Sequence, residues 1–281
     1  MKKIIRSLFI LPLMLTIQPA IAQVDDNTQT DKVQFKMGAF YNSRLNYYGR
    51  TDSLRSSGFF PLAEIWFNKN IYINAAPVFV SNAANRFEYA GTVATAGYQA
   101  KSKNEQFLTH IYFTKPFYTR TTQLVQSALQ EQLSGSFSWQ NPLLNLTFGA
   151  DVKHSDRIDY GLTAGLDHVI RHEFSNQYVL VIDPSAYVYT GTQQFTKTYY
   201  QKNSFLILPG TEQAVNKQVS RLNILAYELS APVILARNNW QFILIPAFVI
   251  PQNLVTVENR SDLSERGKKM VYVTAGAKVS F

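Results

Sequence analysis

The chain has 281 residues, no cysteine and a formal net charge of +8 at pH 7. The lack of cysteine excludes disulfides, thiolate metal sites and a lipid-modified N-terminal cysteine. No run of like charges or basic stripe occurs, so nothing favours nucleic-acid binding. The length is that of one large β-domain, and no apolar run of about 18 residues follows the N-terminal region to predict a membrane-spanning helix.

The first 22 residues have the three parts of a secretory signal peptide. Lys2, Lys3 and Arg6 precede an apolar segment at 8–17, and Ala20-Ile21-Ala22 forms a small-x-small cleavage site. This arrangement predicts export and cleavage after residue 22. A polar linker is predicted at 23–32.

The remaining chain contains about twelve segments with the period-two alternation of β-strands. They lie at 33–42, 59–67, 71–80, 86–98, 107–118, 126–139, 144–153, 158–171, 177–190, from about 221 to the turn at 237–239, at 240–250 and at 270–281. The tenth segment changes phase near Ala226, which suggests a bulge. Ten or fourteen strands are the alternatives.

Six prolines lie within these segments. A closed barrel has no free edge where a missing N–H donor is harmless, so we expect bulges, strand ends or lumenal water beside them. They are Pro61, Pro77, Pro116, Pro184, Pro232 and Pro246.

The last segment, 270–281, alternates strictly and carries valine, alanine and phenylalanine on one face. It stops at Phe281, with no polar tail. Such a strand would promote aggregation in a soluble protein, whereas in a membrane barrel it faces lipid and pairs with the first strand.

The connections alternate between two kinds. Those after strands 2, 6, 8 and 10 are short, and those after strands 1, 9 and 11 are long, which is typical of membrane barrels. Trp66, Trp139 and Trp240 each lie within a few residues of a short turn. This placement predicts an aromatic girdle at one membrane interface.

The leader, the closing strand and the loop asymmetry together resemble Gram-negative outer-membrane β-barrels. The resemblance implies an all-β fold: a single antiparallel transmembrane up-and-down barrel over 33–281, with short periplasmic turns and long outer loops. It also implies an outer-membrane location, among membrane lipids and lipopolysaccharide. By resemblance, the barrel-assembly machinery would recognise the closing strand through Tyr272, Val279 and Phe281.

Charged residues occupy positions that the alternation directs into the barrel. They are Lys36, Glu64, Asp151, Lys153, Asp159, Asp167, Asp183 and Lys278. These side chains either line a water-filled pore and set its ion preference, or pair across a filled, non-conducting interior.

Three functions remain open. The first is a narrow passive or weakly selective channel for small solutes or ions. The second is a non-conducting structural or accessory barrel in an envelope complex, acting through basic outer loops at 43–57, 191–218 and 251–269. The third is a lipid-modifying enzyme, although no catalytic motif is present, and the four histidines lack the spacing of a metal site. No cofactor is expected, and a soluble periplasmic β-sandwich is the alternative fold.

Overall fold

The computed structural model describes residues 33–174, 178–196, 219–256 and 264–281. The predicted signal peptide, 1–22, and linker, 23–32, lie outside these residues. The described strands are β1 (Gln34–Asn42), β2 (Ser57–Trp66), β3 (Ile71–Ser81), β4 (Glu88–Lys101), β5 (Phe107–Tyr118), β6 (Glu131–Trp139), β7 (Asn145–His154), β8 (Ile158–Asp167), β9 (Ile170–Phe174), β10 (Tyr178–Ile182), β11 (Ser185–Gly191), β12 (Asn223–Ser230), β13 (Val233–Arg237), β14 (Trp240–Pro251) and β15 (Met270–Ser280). A 3₁₀ helix spans Val125–Ala128. No helix in the described part of the chain has the length and hydropathy needed to span a membrane.

The fifteen segments form twelve barrel strands, because three strands are each interrupted by two residues. The interruptions at 168–169, 183–184 and 231–232 divide β8 from β9, β10 from β11 and β12 from β13. Neighbouring strands pair antiparallel, β1 pairs with β15, and β12 pairs with β14. The predicted all-β, closed twelve-stranded barrel is therefore confirmed.

The six prolines lie beside gaps in the hydrogen-bond ladder. Pro184 lies in the interruption at 183–184, and Pro232 lies in the one at 231–232. Pro246 of β14 lies opposite the interruption at 231–232. Pro61 and Pro77 face each other where the β2–β3 ladder skips three positions. Pro116 lies beyond the last β5–β6 pair. Proline has no N–H, so each gap removes a pairing that the ring could not make.

The outer surface of the barrel is apolar. Large hydrophobic side chains at outward positions are exposed on strand after strand, a surface that a membrane-spanning barrel requires and a soluble monomer rarely tolerates. Examples are Met37, Ile73, Phe113, Leu133, Phe148, Leu162, Leu229, Leu244 and Val271.

Two tryptophans of the predicted girdle are on this outer surface, and one is not. Trp139 and Trp240 are 44% and 50% exposed, whereas Trp66 is 4% exposed. The girdle assignment of Trp66 is wrong, because period two puts it on the same inward face as Glu64.

The start of the sixth strand also differs from the prediction. Residues 126–128 belong to the 3₁₀ helix, and β6 begins at Glu131. The alternation of Gln126, Leu129 and Gln130 is not a strand pattern, because Gln126 and Leu129 are both buried inside the outer rim.

Bulky inward rings lie over glycines of neighbouring strands. A Cβ on Gly276 would be 2.2 Å from Cδ1 of Phe40, and one on Gly165 would be 2.1 Å from Cδ1 of Tyr187. The absence of a side chain at these glycines lets the rings lie against the barrel wall. Glycine is therefore a packing requirement at these positions.

Candidate functional site: the barrel interior and its outer cap

The eight charged residues predicted to face the lumen all lie on the inner side of the wall. Seven are buried, and Asp151 is partly buried. Seven of them form three clusters at different places on the wall, and Asp159 stands apart.

The first cluster joins β15, β1 and β2. The Lys278 ammonium donates to the Glu64 carboxylate at 2.8 Å, and the Trp66 indole N–H donates to the same oxygen at 2.6 Å. Lys36 lies over the Trp66 ring, with its Nζ 4.7 Å from the centroid. Two cations and one carboxylate therefore leave an excess of positive charge, which the face of the indole partly stabilises.

The second cluster joins β7 to the first outer loop. Lys153 Nζ lies 2.5 and 2.6 Å from the two Asp151 oxygens. The same ammonium is 5.5 Å from the ring centroid of Tyr48, a loop residue that folds into the barrel. Burial raises the pKa of Tyr48 to about 12, so its hydroxyl is neutral at physiological pH.

The third cluster is acidic and lies near the short-turn rim. Asn145 donates its side-chain amide to Asp167 at 2.7 Å. Asp183 neighbours Asp167, and its Oδ1 has no hydrogen-bond partner among the described residues. No group of three or more metal-ligating side chains occurs in the described ranges.

Asp159, the remaining predicted lumenal acid, anchors a loop. Its carboxylate accepts hydrogen bonds from the backbone N–H groups of Gln194 and Phe195, both at 2.7 Å, and from the Thr192 hydroxyl at 2.6 Å. It therefore holds the segment after β11 against the barrel mouth.

Four outer segments meet at one buried guanidinium. Arg50 is 1% exposed and pairs with Glu265 at 3.0 Å, joining the β1–β2 loop to the β14–β15 loop. It also donates to the Gln193 side chain and to the carbonyls of Leu225 and Gln252, at 3.1 to 3.3 Å. We call residues 43–56, 192–196, 252–256 and 264–269 the outer cap.

Glu265, like Arg50, has several hydrogen-bond partners. Its carboxylate accepts from the Thr196 hydroxyl and from the backbone N–H of Val255. Buried ions are tolerated when paired and hydrogen-bonded in this way.

Aromatic rings fill the space beneath this pair. Tyr47 packs against Phe195 edge to face, with the ring centroids 4.6 Å apart, and Tyr48 packs against Tyr189 of β11 at 5.3 Å. The 3₁₀ helix supports the cap from the other side, since Gln126 donates to the Asn46 carbonyl at 3.0 Å. The cap is therefore seated inside the barrel mouth.

The cap is the main feature that the sequence did not reveal. Arg50 belongs to the basic outer loop predicted at 43–57 to act on partners, and its burial excludes that role for this residue. Its only signal in the sequence is its position two residues after a pair of tyrosines in a long loop. That pattern does not identify Glu265, which lies 215 positions away.

The closing strand has its two predicted faces. Tyr272 points inward and donates to Glu228 at 2.9 Å, and Val279 is partly buried. Phe281 is 69% exposed and stacks on Phe35 of the first strand, with centroids 6.0 Å apart. The terminal aromatic thus covers the seam between the first and last strands.

Comparison with known proteins gave structural similarity only. No known family model and no curated protein sequence matches the chain. Among solved structures, an outer-membrane channel from Pseudomonas putida F1 is 9% identical with a TM-score of 0.47, covering 92% of this chain and 100% of that one. The KdgM porin is 11% identical with a TM-score of 0.43, and LpxR from Salmonella typhimurium is 9% identical with a TM-score of 0.45. Both alignments cover 87% of this chain and 99% of the other. Likeness at this level carries no information on substrate or activity.

Proposed function

We propose that this chain is an exported outer-membrane β-barrel that forms a narrow channel for small solutes or ions, closed at its outer mouth by the cap. The exterior supports the membrane setting, because closure satisfies the backbone groups and the outward side chains are apolar. The proposal assigns no catalytic residue and no cofactor to the chain.

The observation that carries the channel proposal is the polar stripe on the inner wall of β6. Four successive inward positions are hydroxyl or amide side chains, and the facing positions of β7 and β8 add charges. The four are Gln132, Ser134, Ser136 and Ser138. A barrel that only needs a filled interior gains more from apolar side chains, which carry no desolvation cost.

The cap supports gating of this path. The cap is held to the wall by hydrogen bonds, and one ion pair joins two of its own segments. Water can replace these contacts when a loop moves outward. The Arg50–Glu265 pair joins the two cap segments that are farthest apart in sequence, 43–56 and 264–269. Its loss should therefore release both segments.

Planar-bilayer conductance of the purified, refolded protein tests the proposal. We expect infrequent small steps for the unaltered chain and at least about tenfold higher open probability for Arg50→Ala, as loss of about 1.4 kcal/mol from the closed state would give. Lys268→Ala, which removes an exposed cation from the β14–β15 loop that carries Glu265, is the control and should leave the open probability unchanged. Asp151→Asn should shift the ion preference away from cations.

A folded barrel that conducts in neither form would reject the channel. It would favour the second candidate, a structural barrel acting through its outer loops. One observation supports that candidate: almost all inward side chains are buried, so this conformation leaves little free lumen.

The proposed location implies two partners. Exposed cap cations such as Lys268 and Lys269 are placed to contact anionic head groups of lipopolysaccharide. Insertion would depend on recognition of the closing strand through Tyr272, Val279 and Phe281. Deleting Phe281 should lower the amount of barrel in outer-membrane fractions while export continues.

A further inference from the structure

The buried charges on the wall between β15 and β2 do not balance. Lys36, Lys278 and Glu64 face the interior on three neighbouring strands, and each is at most 6% exposed. The charged side chains that act on Lys36 are those of Glu64 and Lys278. Two ammonium groups beside one carboxylate leave an excess of one positive charge in this part of the interior.

The carboxylate of Glu64 is already bonded to other donors. Its Oε1 accepts from the Lys278 ammonium at 2.8 Å and from the Trp66 indole N–H at 2.6 Å. Lys36 lies opposite Glu64 in the β1–β2 register, but it makes no hydrogen bond or ion pair with any residue that the structure describes. Lys36 is therefore the cation of the cluster that lacks an anionic partner in direct contact.

The indole ring of Trp66 stabilises Lys36 only in part. The Lys36 Nζ lies 4.7 Å from the ring centroid, which is a cation–π contact. Such a contact recovers less free energy than the desolvation of a buried ammonium costs. An ammonium also has three N–H donors, and the ring face satisfies only those directed toward it. The donors directed away from the ring remain for an acceptor from outside the chain.

The cluster is reachable from the short-turn rim, at the end of the barrel opposite the cap. Lys36 is the third residue of β1, and Trp66 is the last residue of β2. Gln34 and Ser280, the inward residues next nearest that rim, are partly exposed. Lys36 is 6% exposed, against 2% for Lys278, so it is the cation with surface left for a ligand.

We propose that the Lys36 ammonium binds one small monovalent anion, of the size and charge of chloride, which enters from the short-turn rim. One negative charge matches the excess of the cluster, and the ion accepts from the N–H groups that the indole leaves free. A single-atom anion needs little more room than one water molecule, so no large cavity is required. A divalent anion would exceed the excess and bring an unpaired negative charge into the interior.

This anion site goes beyond the proposed channel, because binding needs neither conduction nor an open cap. The ion needs only the short-turn rim to be open to water, and the Arg50–Glu265 pair lies at the other end. A non-conducting barrel that binds the anion and a conducting barrel that does not are therefore separate results.

Iodide quenching of Trp66 fluorescence, with the protein in lipid nanodiscs, tests the site. Trp139→Phe and Trp240→Phe remove the two tryptophans of the outer surface and leave Trp66 as the reporter, since the chain has three. With the ionic strength held constant by potassium fluoride, we expect quenching that saturates with a dissociation constant on the order of 10 to 100 mM, as suits a one-atom ligand. Replacing fluoride by chloride at a fixed iodide concentration should restore the emission, because chloride loses its hydration more readily and competes for the site.

Three substitutions in this background locate the bound ion. Lys36→Met keeps the length of the side chain without its charge, and it should remove the saturable quenching and leave the linear dependence of random collisions. Lys36→Arg retains a cation and should keep the saturable quenching. Lys268→Met, which removes an exposed cation of the β14–β15 loop, is the matched control and should change nothing.

Linear quenching of Trp66 in the background protein would overturn the proposal, and so would the absence of any quenching. Saturable quenching that the folded Lys36→Met variant retains would also overturn it, because the ion would then be held elsewhere. If Lys36→Met does not fold, the exchange of fluoride for chloride in the background protein still decides the question. Random collisions have no site for which chloride can compete, so an emission that chloride leaves unchanged rejects the site.

Discussion

Two buried ion pairs of similar length hold different parts of this molecule. Glu64–Lys278, at 2.8 Å, joins strands β2 and β15 on either side of β1. Arg50–Glu265, at 3.0 Å, joins two outer loops. All four side chains are at most 4% exposed, so distance and burial do not distinguish the pairs. The two pairs differ in the elements that carry their charges. A charge on a barrel strand cannot leave the interior, whereas a charge on a loop can move to water.

The largest effect is expected from breaking the pair on the wall. Glu64→Ala leaves Lys278 and Lys36 without their carboxylate and should lower the free energy of unfolding by about 3–5 kcal/mol. Urea unfolding of the barrel in lipid vesicles, followed by tryptophan fluorescence, measures this. A loss below about 1 kcal/mol would mean that water reaches these cations and that the wall resembles the cap.

Packing on the wall can be tested without changing charge. In Gly276→Ala the new methyl group would meet the Phe40 ring at 2.2 Å and the Ala39 carbonyl at 2.8 Å. We expect a loss of about 1–3 kcal/mol in the same unfolding assay. Gly149→Ala is the matched control, because its nearest contact is an ordinary 3.4 Å, and it should change stability little.

The cap should respond differently. Arg50→Ala should lower the barrel's unfolding free energy by no more than about 1.4 kcal/mol, the amount lost from the closed cap, because Glu265 can move to water when its partner is lost. Cleavage of the outer loops by added protease should become faster, since opening becomes more frequent. If the unfolding free energy falls as far as in Glu64→Ala, the cap is part of the barrel's stability and the distinction between the two pairs is lost.

The smallest effect concerns the alkaline limit of the cap. Burial raises the pKa of Tyr48 to about 12, above its unfolded value of about 10. The neutral hydroxyl therefore favours the closed cap fully below pH 10, and this contribution is lost as the pH rises toward 12. Protease sensitivity of the loops should rise between these values. Tyr48→Phe should reduce the rise, and an identical pH profile in both proteins would assign it to another group.

The wall was largely predictable, because each strand carries its own signal. Strand β5 was expected at 107–118 and found there, and Glu64 and Lys278 were placed inward by alternation alone. The assignment of Trp66 to the girdle is wrong because it relied on nearness to a turn. Trp66 is two residues from the inward-facing Glu64 and therefore lies on the same face of β2.

The cap was not predictable, because its contacts join loops with no periodicity. Nothing local connects Arg50 to Glu265 or to Gln193, and the fold alone brings these side chains together. The error at 126–128 has the same origin, since the 3₁₀ helix there is held by a contact with Asn46 of the cap and has no periodic signal of its own. Period-two patterns predict the strands of the barrel wall, whereas the segments that fill the barrel mouth are placed by tertiary contacts.

The position of the Glu64–Lys278 pair also bears on the order of folding. Its members are 214 residues apart, and the Asn42–Thr274 hydrogen bond nearby spans 232. Contacts this distant in sequence form late, after the loop-closure entropy of the intervening chain has been overcome. Until the last strand meets the first, Lys278 has no carboxylate partner, and Glu64 has only Lys36, its cross-strand neighbour on β1. Closure gives Lys278 its partner, so this pair favours the completed ring over every partly assembled sheet.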